Sequence, residues 1–287
     1  MILDTDARSR LDRLSVVAGG RVRGIWTGTN RSLRLGESMD FADYREYIPG
    51  DDFRRIDYNL WARLGVVLIK LFEAEDELPL RIVLDASGSM KFGRKWRTAQ
   101  ELAGMVAYLS LGAGDRVRLM ATGPHGRPSQ GPWLRHRSSW PQFEAAIESL
   151  EPDGRGGLIE AARTAASSSA LRGPFVVISD LLEPGWELAI KTLGVRGGGI
   201  ILHTLAPSEL NPDLTGDLTL RDAETSAERN VSLSAKALDR YVARVAEFRA
   251  QAEKVAASVG FSYVFVRADD GAFQAGLDHL MRAGAVR

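Results

Sequence analysis

From about residue 78 onward, short apolar runs alternate with longer segments of helical period. That alternation builds a mostly parallel sheet with helices on both faces. The runs LRIVLD (80–85), DRVRLMAT (115–122), PFVVISD (174–180), GIILHTLA (199–206), DLTLRD (217–222) and SYVFVR (262–267) are aliphatic or β-branched. Flanking Gly, Pro or Asp residues punctuate them, which predicts six strands. Between them, RTAQELAGMVAYLSLGAG predicts a helix stopped by glycine, and SWPQFEAAIESLEP one that starts at serine and ends before proline. The clearest helix runs from Ser234 to Val259, where Leu238, Val242, Val245, Phe248, Ala252, Val255 and Val259 recur at spacings of three and four. Such a stripe, followed at once by a strand, is expected to lie on the sheet, with Gly260 as its stop. The GGG at 197–199 precedes a strand and lacks a following Lys-Ser/Thr, so it reads as a turn, not a phosphate loop.

The first 77 residues differ in texture. Residues 7–17 have the pattern of a short helix, and GGRVRGIWTGTNRSLRLGES is rich in glycine and arginine with weak alternation. The stretch that follows, MDFADYREYIPGDDFRRIDYNLWARLGVVLIKLFEAEDE, packs charge and aromatics together. Its VVLIKLFEAE portion has strand composition, to be paired either with the main sheet or within a small subdomain. The expected division is therefore an N-terminal segment over 1–77 and an α/β domain over 78–287, with no repeat or low-complexity linker between them.

At 287 residues and 45% hydrophobic composition, the chain buries a real core. Its 37 basic and 37 acidic residues balance, so the overall field predicts no affinity for nucleic acid or anionic lipid, and any charged site is local. The absence of cysteine excludes disulfides, thiolate zinc sites and thiol catalysis, and four scattered histidines argue against an imidazole metal cluster. The opening MILDTDARSRLDRLSVVAGG carries acids and arginines where a signal peptide needs a basic start and an apolar run. No window approaches eighteen uninterrupted apolar residues, so a cytoplasmic protein without direct membrane insertion is expected.

The chemistry concentrates in RIVLDASGSM, residues 81–90, where an apolar run ends in Asp85 followed by Ser87 and Ser89. In open α/β sheets the carboxyl ends of strands are where ligands sit. One carboxylate and two hydroxyls on a tight loop are hard oxygen donors, suited to magnesium, calcium or manganese and poorly to zinc or copper. A site with so few carboxylates leaves room for an anionic ligand from a partner. A second carboxylate, Asp180, ends another strand in VVISDLLEPG. The plainer reading is that Asp85, Ser87 and Ser89 only cap the turn through backbone amides. A phosphohydrolase using Asp85 as nucleophile is a further alternative, although Ser87 stands where a second aspartate would act as general acid. Neither serine lies in G-x-S-x-G, which argues against a serine hydrolase.

DASGSM after a buried strand resembles the metal-ion-dependent adhesion motif, D-x-S-x-S, of von Willebrand factor type A domains. DFADYREYIPGDDFRRIDYNLWAR resembles the signature of the bacterial family called domain of unknown function 58, in Tyr44, Arg45, Tyr47, Pro49, Gly50, Asp51, Asp52, Arg54, Arg55, Ile56, Asp57, Ala62 and Arg63, followed by Lys70, Phe72 and Glu73. The resemblance runs from about residue 20 to 283. It implies a Rossmann-like type A domain with a small β-containing N-terminal segment, and a non-enzymatic adaptor working with a MoxR-like AAA+ ATPase or its client. It also implies a magnesium or other divalent cation held by Asp85, Ser87, Ser89 and Asp180. Type A sites usually add a threonine from a Gly-Thr-x-Leu stretch; in DGRGGLIEAAR Gly156 takes that place, so one direct oxygen donor is missing. The charged segment around Arg45, Asp51, Asp52, Arg54 and Arg55 is either a self-satisfied ion-pair network or a partner-binding surface. A structural subunit with an empty motif completes the alternatives.

Overall fold

The structure, a computed structural model, describes residues 1–17, 41–49, 51–72, 79–123, 127–154, 156–167, 173–225, 227–269 and 271–282. The glycine- and arginine-rich stretch, Asp40, Gly50 and Glu73 lie outside the described residues, as do the side chains of Asp43, Arg55 and Phe72. The chain forms two compact units, residues 28–77 and the remainder.

The first helix, α1 (Thr5–Val17), belongs to the larger unit, not to the N-terminal segment in which the sequence pattern places it. Leu3 and Leu11 are fully buried in the core beneath the next long helix, which explains the assignment. The smaller unit contains β1 (Phe41–Glu46), α2 (Tyr58–Leu64) and β2 (Leu68–Phe72). β1 and β2 pair antiparallel, so VVLIKLFEAE takes the subdomain option. Asp57 caps α2 by accepting from the Asn59 and Leu60 amides, and Gly65 ends it with φ +69°. A carboxylate cap and a left-handed glycine are the usual helix punctuation.

The larger unit continues with β3 (Pro79–Leu84), α3 (Lys95–Gly112), β4 (Arg116–Ala121), β5 (Ser129–Gln130), α4 (Trp140–Glu148), α5 (Leu158–Ser167) and β6 (Phe175–Ser179). Then follow α6 (Trp186–Gly194), β7 (Gly199–Leu205), α7 (Pro207–Leu210), β8 (Gly216–Arg221), β9 (Glu228–Leu233), α8 (Ala235–Ser258), β10 (Phe261–Arg267) and α9 (Ala272–Arg282). Six strands form one sheet in the order β10-β7-β6-β3-β4-β5, parallel except for the short β5. This is a mixed α/β architecture. Along β3, Leu80, Ile82 and Leu84 enter one core layer with α1, α3, α4 and α9, whereas Val83 enters the other with α5, α6 and part of α8. A strand covered on both faces needs apolar residues at consecutive positions, which is why these strands read as continuous runs.

Two expectations are corrected. The run 217–222 is a strand, but it joins β9 in a separate, largely exposed hairpin outside the central sheet. The apolar stripe on α8 splits: Ala252 and Ala256 are buried and Phe248, Val255 and Val259 pack on the core, while Tyr241 and Val242 stay exposed. The helix is longer than the sheet it crosses, so its first turns have no core to cover.

Candidate functional site

β3 connects toward β4 on one side, while β6 and β7 extend the sheet on the other, so strand order reverses between β3 and β6. A crevice opens at such a switch point, beyond the carboxyl ends of the strands. Asp85 follows β3 there and Asp180 follows β6, so the two aspartates singled out in the sequence come to one sheet edge. Both are about 1% exposed, and Ser87 is fully buried.

Asp85 is held on both oxygens. Oδ1 accepts from the Ser87 amide at 3.0 Å and the Thr122 hydroxyl at 3.4 Å, and Oδ2 accepts from the Ser179 hydroxyl at 2.6 Å. The turn-capping reading of Asp85 is thus correct as far as it goes. Burial, reinforced by the negative charge of Asp180, raises the Asp85 carboxyl to about 6, although Ser179 and Ser87 favour the ionised form. The Ser87 and Ser89 hydroxyl oxygens lie 3.0 Å apart. Gly88 sits between them as the loop enters a short 3-10 turn, Gly88–Lys91.

Asp180 has its own cation. Lys95, fully buried at the start of α3, places Nζ 2.7 Å from Asp180 Oδ2 and 2.6 Å from Glu209 Oε1. Burial opposes its charge, but the two carboxylates more than offset that and hold the ammonium above its ordinary pKa. Asp180 Oδ1 accepts from the Leu182 amide at 3.1 Å. Leu181, fully buried, adopts φ +56°, a conformation bulky residues rarely take. The Ser179 hydroxyl accepts its amide at 2.9 Å and holds the turn. Behind the loop, His203 is buried with Nε2 3.0 Å from the Asp180 carbonyl and Nδ1 2.7 Å from the Tyr263 hydroxyl. Burial lowers His203 to about 4, so it is a neutral brace at pH 7.

Gly156 lies beside the serine loop. A β-carbon there would stand 3.3 Å from Ser87 Cβ and 2.3 Å from Glu183 Oε2. Glu183 therefore takes the space that a side chain at position 156 would need. Its carboxylate accepts from the Gly157 and Leu158 amides at 2.9 Å and caps the start of α5, whose free amides and positive dipole end favour an anion. The turn of the β8–β9 hairpin covers the loop from the other side: a β-carbon on Gly88 would be 2.7 Å from the Ala223 carbonyl oxygen. Glu224 on that turn has a raised pKa, through burial first and then through Glu183, Asp180 and Asp85.

Two hydroxyls thus lie in a neighbourhood where Asp85, Asp180, Glu183 and Glu224 feel one another's charge, with Lys95 offsetting part of it. Among the described residues, no three His, Cys, Asp or Glu side chains converge as a ready-made metal cluster. The Ser87 and Ser89 hydroxyls are the adjacent oxygen donors. This all-oxygen, negatively charged setting fits a hard divalent ion retaining several waters. Glu183, Glu224, Lys95 and Thr122 escaped the sequence reading. Glu183 was within reach, three residues after Asp180 in VVISDLLEPG, and Thr122 ends a neighbouring strand; Lys95 and Glu224 carry no local signal.

The candidate partner-binding residues lie in the smaller unit. Arg45 holds Asp51 in a two-point ion pair at 2.6 and 2.8 Å, and Asp51 also accepts the Ile48 amide. Asp52 accepts the Arg54 amide at 3.0 Å, and the Arg54 guanidinium lies over the Phe53 ring. Asp57 binds the Tyr44 hydroxyl and Lys70. The Leu60 capping amide, then Lys70 and the Tyr44 hydroxyl, hold Asp57 at about 2. These charges are largely spent inside the unit. It also exposes large apolar side chains, Phe53, Tyr58, Trp61 and Leu64, beside the exposed Asp52, Arg54 and Arg63.

A family model described as "Protein of unknown function DUF58" matches residues 43–253. "Uncharacterized protein Rv1480" of Mycobacterium tuberculosis is 27% identical over 280 residues, covering 93% of this chain and 86% of that protein. "Uncharacterized protein MAV169" of Mycobacterium avium is 30% identical over 146 residues, covering 50% and 82%. Among solved structures, a conserved hypothetical protein BatB from Bacteroides thetaiotaomicron is similar at TM-score 0.43 and 18% identity, covering 71% of this chain and 99% of that one.

Proposed function

The chain belongs to the family described as protein of unknown function DUF58, and from that premise we propose that it is a non-enzymatic interaction adaptor that uses a divalent cation at the β3–β6 switch point. The carrying observation is the pair of hydroxyls, Ser87 and Ser89, 3.0 Å apart at the end of β3, in the field of Asp85, Asp180, Glu183 and Glu224. Ser87 and Ser89 would bind magnesium or a similar ion directly, with the carboxylates acting through water. In this reading the larger unit is a von Willebrand factor type A-like domain, and the ion offers a coordination position to a partner's carboxylate. The resemblance behind it implies a MoxR-type AAA+ ATPase or its client as that partner, with ATP hydrolysis left to the ATPase. Catalysis at Asp85 is disfavoured, because a buried carboxylate with both oxygens hydrogen-bonded has no free face for attack.

The test is calorimetric titration of magnesium and manganese into chelator-treated protein, with Asp85→Ala and the half-buried Ser89→Ala as variants. Saturable binding is expected, abolished by Asp85→Ala and weakened about tenfold or more by Ser89→Ala. Neither heat nor thermal stabilisation up to millimolar cation would leave the motif as a structural turn and the chain as a metal-independent subunit.

A further inference from the structure

β10 is the terminal strand of the central sheet, and among the described residues nothing pairs with its outer edge. The ladder to β7 fixes which backbone groups are left over. Gly199 donates to the Gly260 carbonyl and Ala268 to the Leu205 carbonyl, so even-numbered residues of β10 face β7. In a parallel pair both polar groups of a residue turn the same way, so Tyr263 and Phe265 direct N–H and C=O outward. Such an edge is a template for another strand unless it is blunted. Neither proline nor a bulge interrupts β10.

The edge lies on the floor of a groove of about 560 Å³ walled by α8 and α9. Arg249 and Glu253 contribute from α8, and His279 and Arg282 from α9, so cationic groups outnumber the acid. The Arg249 guanidinium lies 3.6 Å from the centre of the Phe265 ring, and its buried Nε has no hydrogen-bond acceptor among the described residues. The guanidinium also bonds the Tyr263 hydroxyl and lines the groove, where a carboxylate is the group a guanidinium binds best.

We propose that this groove receives an extended, acidic segment of a partner protein, which adds to β10 as a seventh strand with its carboxylates on Arg249 and Arg282. The outward groups of Tyr263 and Phe265 supply main-chain affinity, and the arginines select acidic side chains at alternate positions. The surface is separate from the Ser87–Ser89 crevice and does not depend on a cation there.

A random nonapeptide library displayed against the intact chain provides the test, followed by titration of the selected peptides as labelled synthetic probes. Enrichment of acidic residues alternating with β-branched ones is expected. Glutamine in place of the peptide's glutamates, or Arg249→Gln with Arg282→Gln in the protein, should weaken binding tenfold or more. Amide exchange at Tyr263 and Phe265 should slow when peptide binds. Because Arg249 packs on Phe265, the exposed Arg282→Gln alone serves if the double variant unfolds. Absence of acidic enrichment, equal binding by the arginine variants, or unchanged exchange at those amides overturns the proposal. So does a dimer in which both amides are protected without peptide, since the occupant would then be a second copy of this chain.

Discussion

Asp85 shows what one buried carboxylate does to stability. Its pKa in the folded chain, about 6, lies above the ordinary value of 3.8, because burial and Asp180 disfavour the charge. Between those two values the folded state retains a proton that the unfolded state has released, so stability falls as pH rises from about 4 to 6. At roughly 1.4 kcal/mol per unit, the neutral-pH cost is about 2–3 kcal/mol. Asp85→Asn keeps the shape and removes the charge, and its amide still serves Ser179. In chelator at pH 7 the variant is expected to be more stable than wild type by about that amount, with a flatter profile between pH 4 and 6. Urea melts at pH 4, 5.5 and 7 measure this, and a less stable variant at pH 7 would mean that the hydrogen bonds outweigh the burial. Magnesium should reverse the order, since only the carboxylate gains from a nearby cation.

Among the elements, the β8–β9 hairpin is the least supported by a core and the most informative about access to the site. Its residues are mostly exposed, yet its turn lies against Gly88. The contact is with backbone, which cannot swing aside as a side chain could. Gly88→Ala would push a methyl group into the Ala223 carbonyl at 2.7 Å and crowd the Gly154 carbonyl at 3.2 Å. A cost of about 1–3 kcal/mol is typical of such overpacking. The expected outcome is displacement of the hairpin turn, read as several-fold faster tryptic cleavage at Arg221, with the sheet intact by circular dichroism. Unchanged cleavage would mean that the serine loop yields instead of the hairpin.

On the scale of the whole molecule, the smaller unit ends at residue 77 as the sequence pattern has it, but residues 1–27 fall with the larger unit, where α1 packs. Leu11 is wholly buried there, and the Tyr108 hydroxyl on α3 donates to Asp12 at 3.1 Å. Leu11→Ala should therefore destabilise the larger unit by about 2–5 kcal/mol, seen as a lower urea midpoint of its main transition. A loss confined to a minor early transition would assign the helix elsewhere. No helix among the described residues is long and apolar enough to cross a membrane.

The apolar runs by themselves determined the five parallel strands, because a strand buried on both faces must be apolar at every position, and the helical period gave α3, α4 and α8 but not α5 or α6. The placement of Asp85, Ser87 and Asp180 was equally legible, since a polar residue directly after such a run falls at the sheet's carboxyl edge. Tertiary structure alone decided what surrounds them. Lys95 meets Asp180 and Glu209 across 85 and 114 residues of chain, and the Ala223 turn lands on Gly88 from a hairpin that reads locally like any other strand. Glu183 was visible but not interpretable, because its role depends on the empty volume beside Gly156. Side-chain period is a property of one segment, whereas ion pairs, excluded volume and an open sheet edge are properties of segments brought together, and no local pattern encodes them.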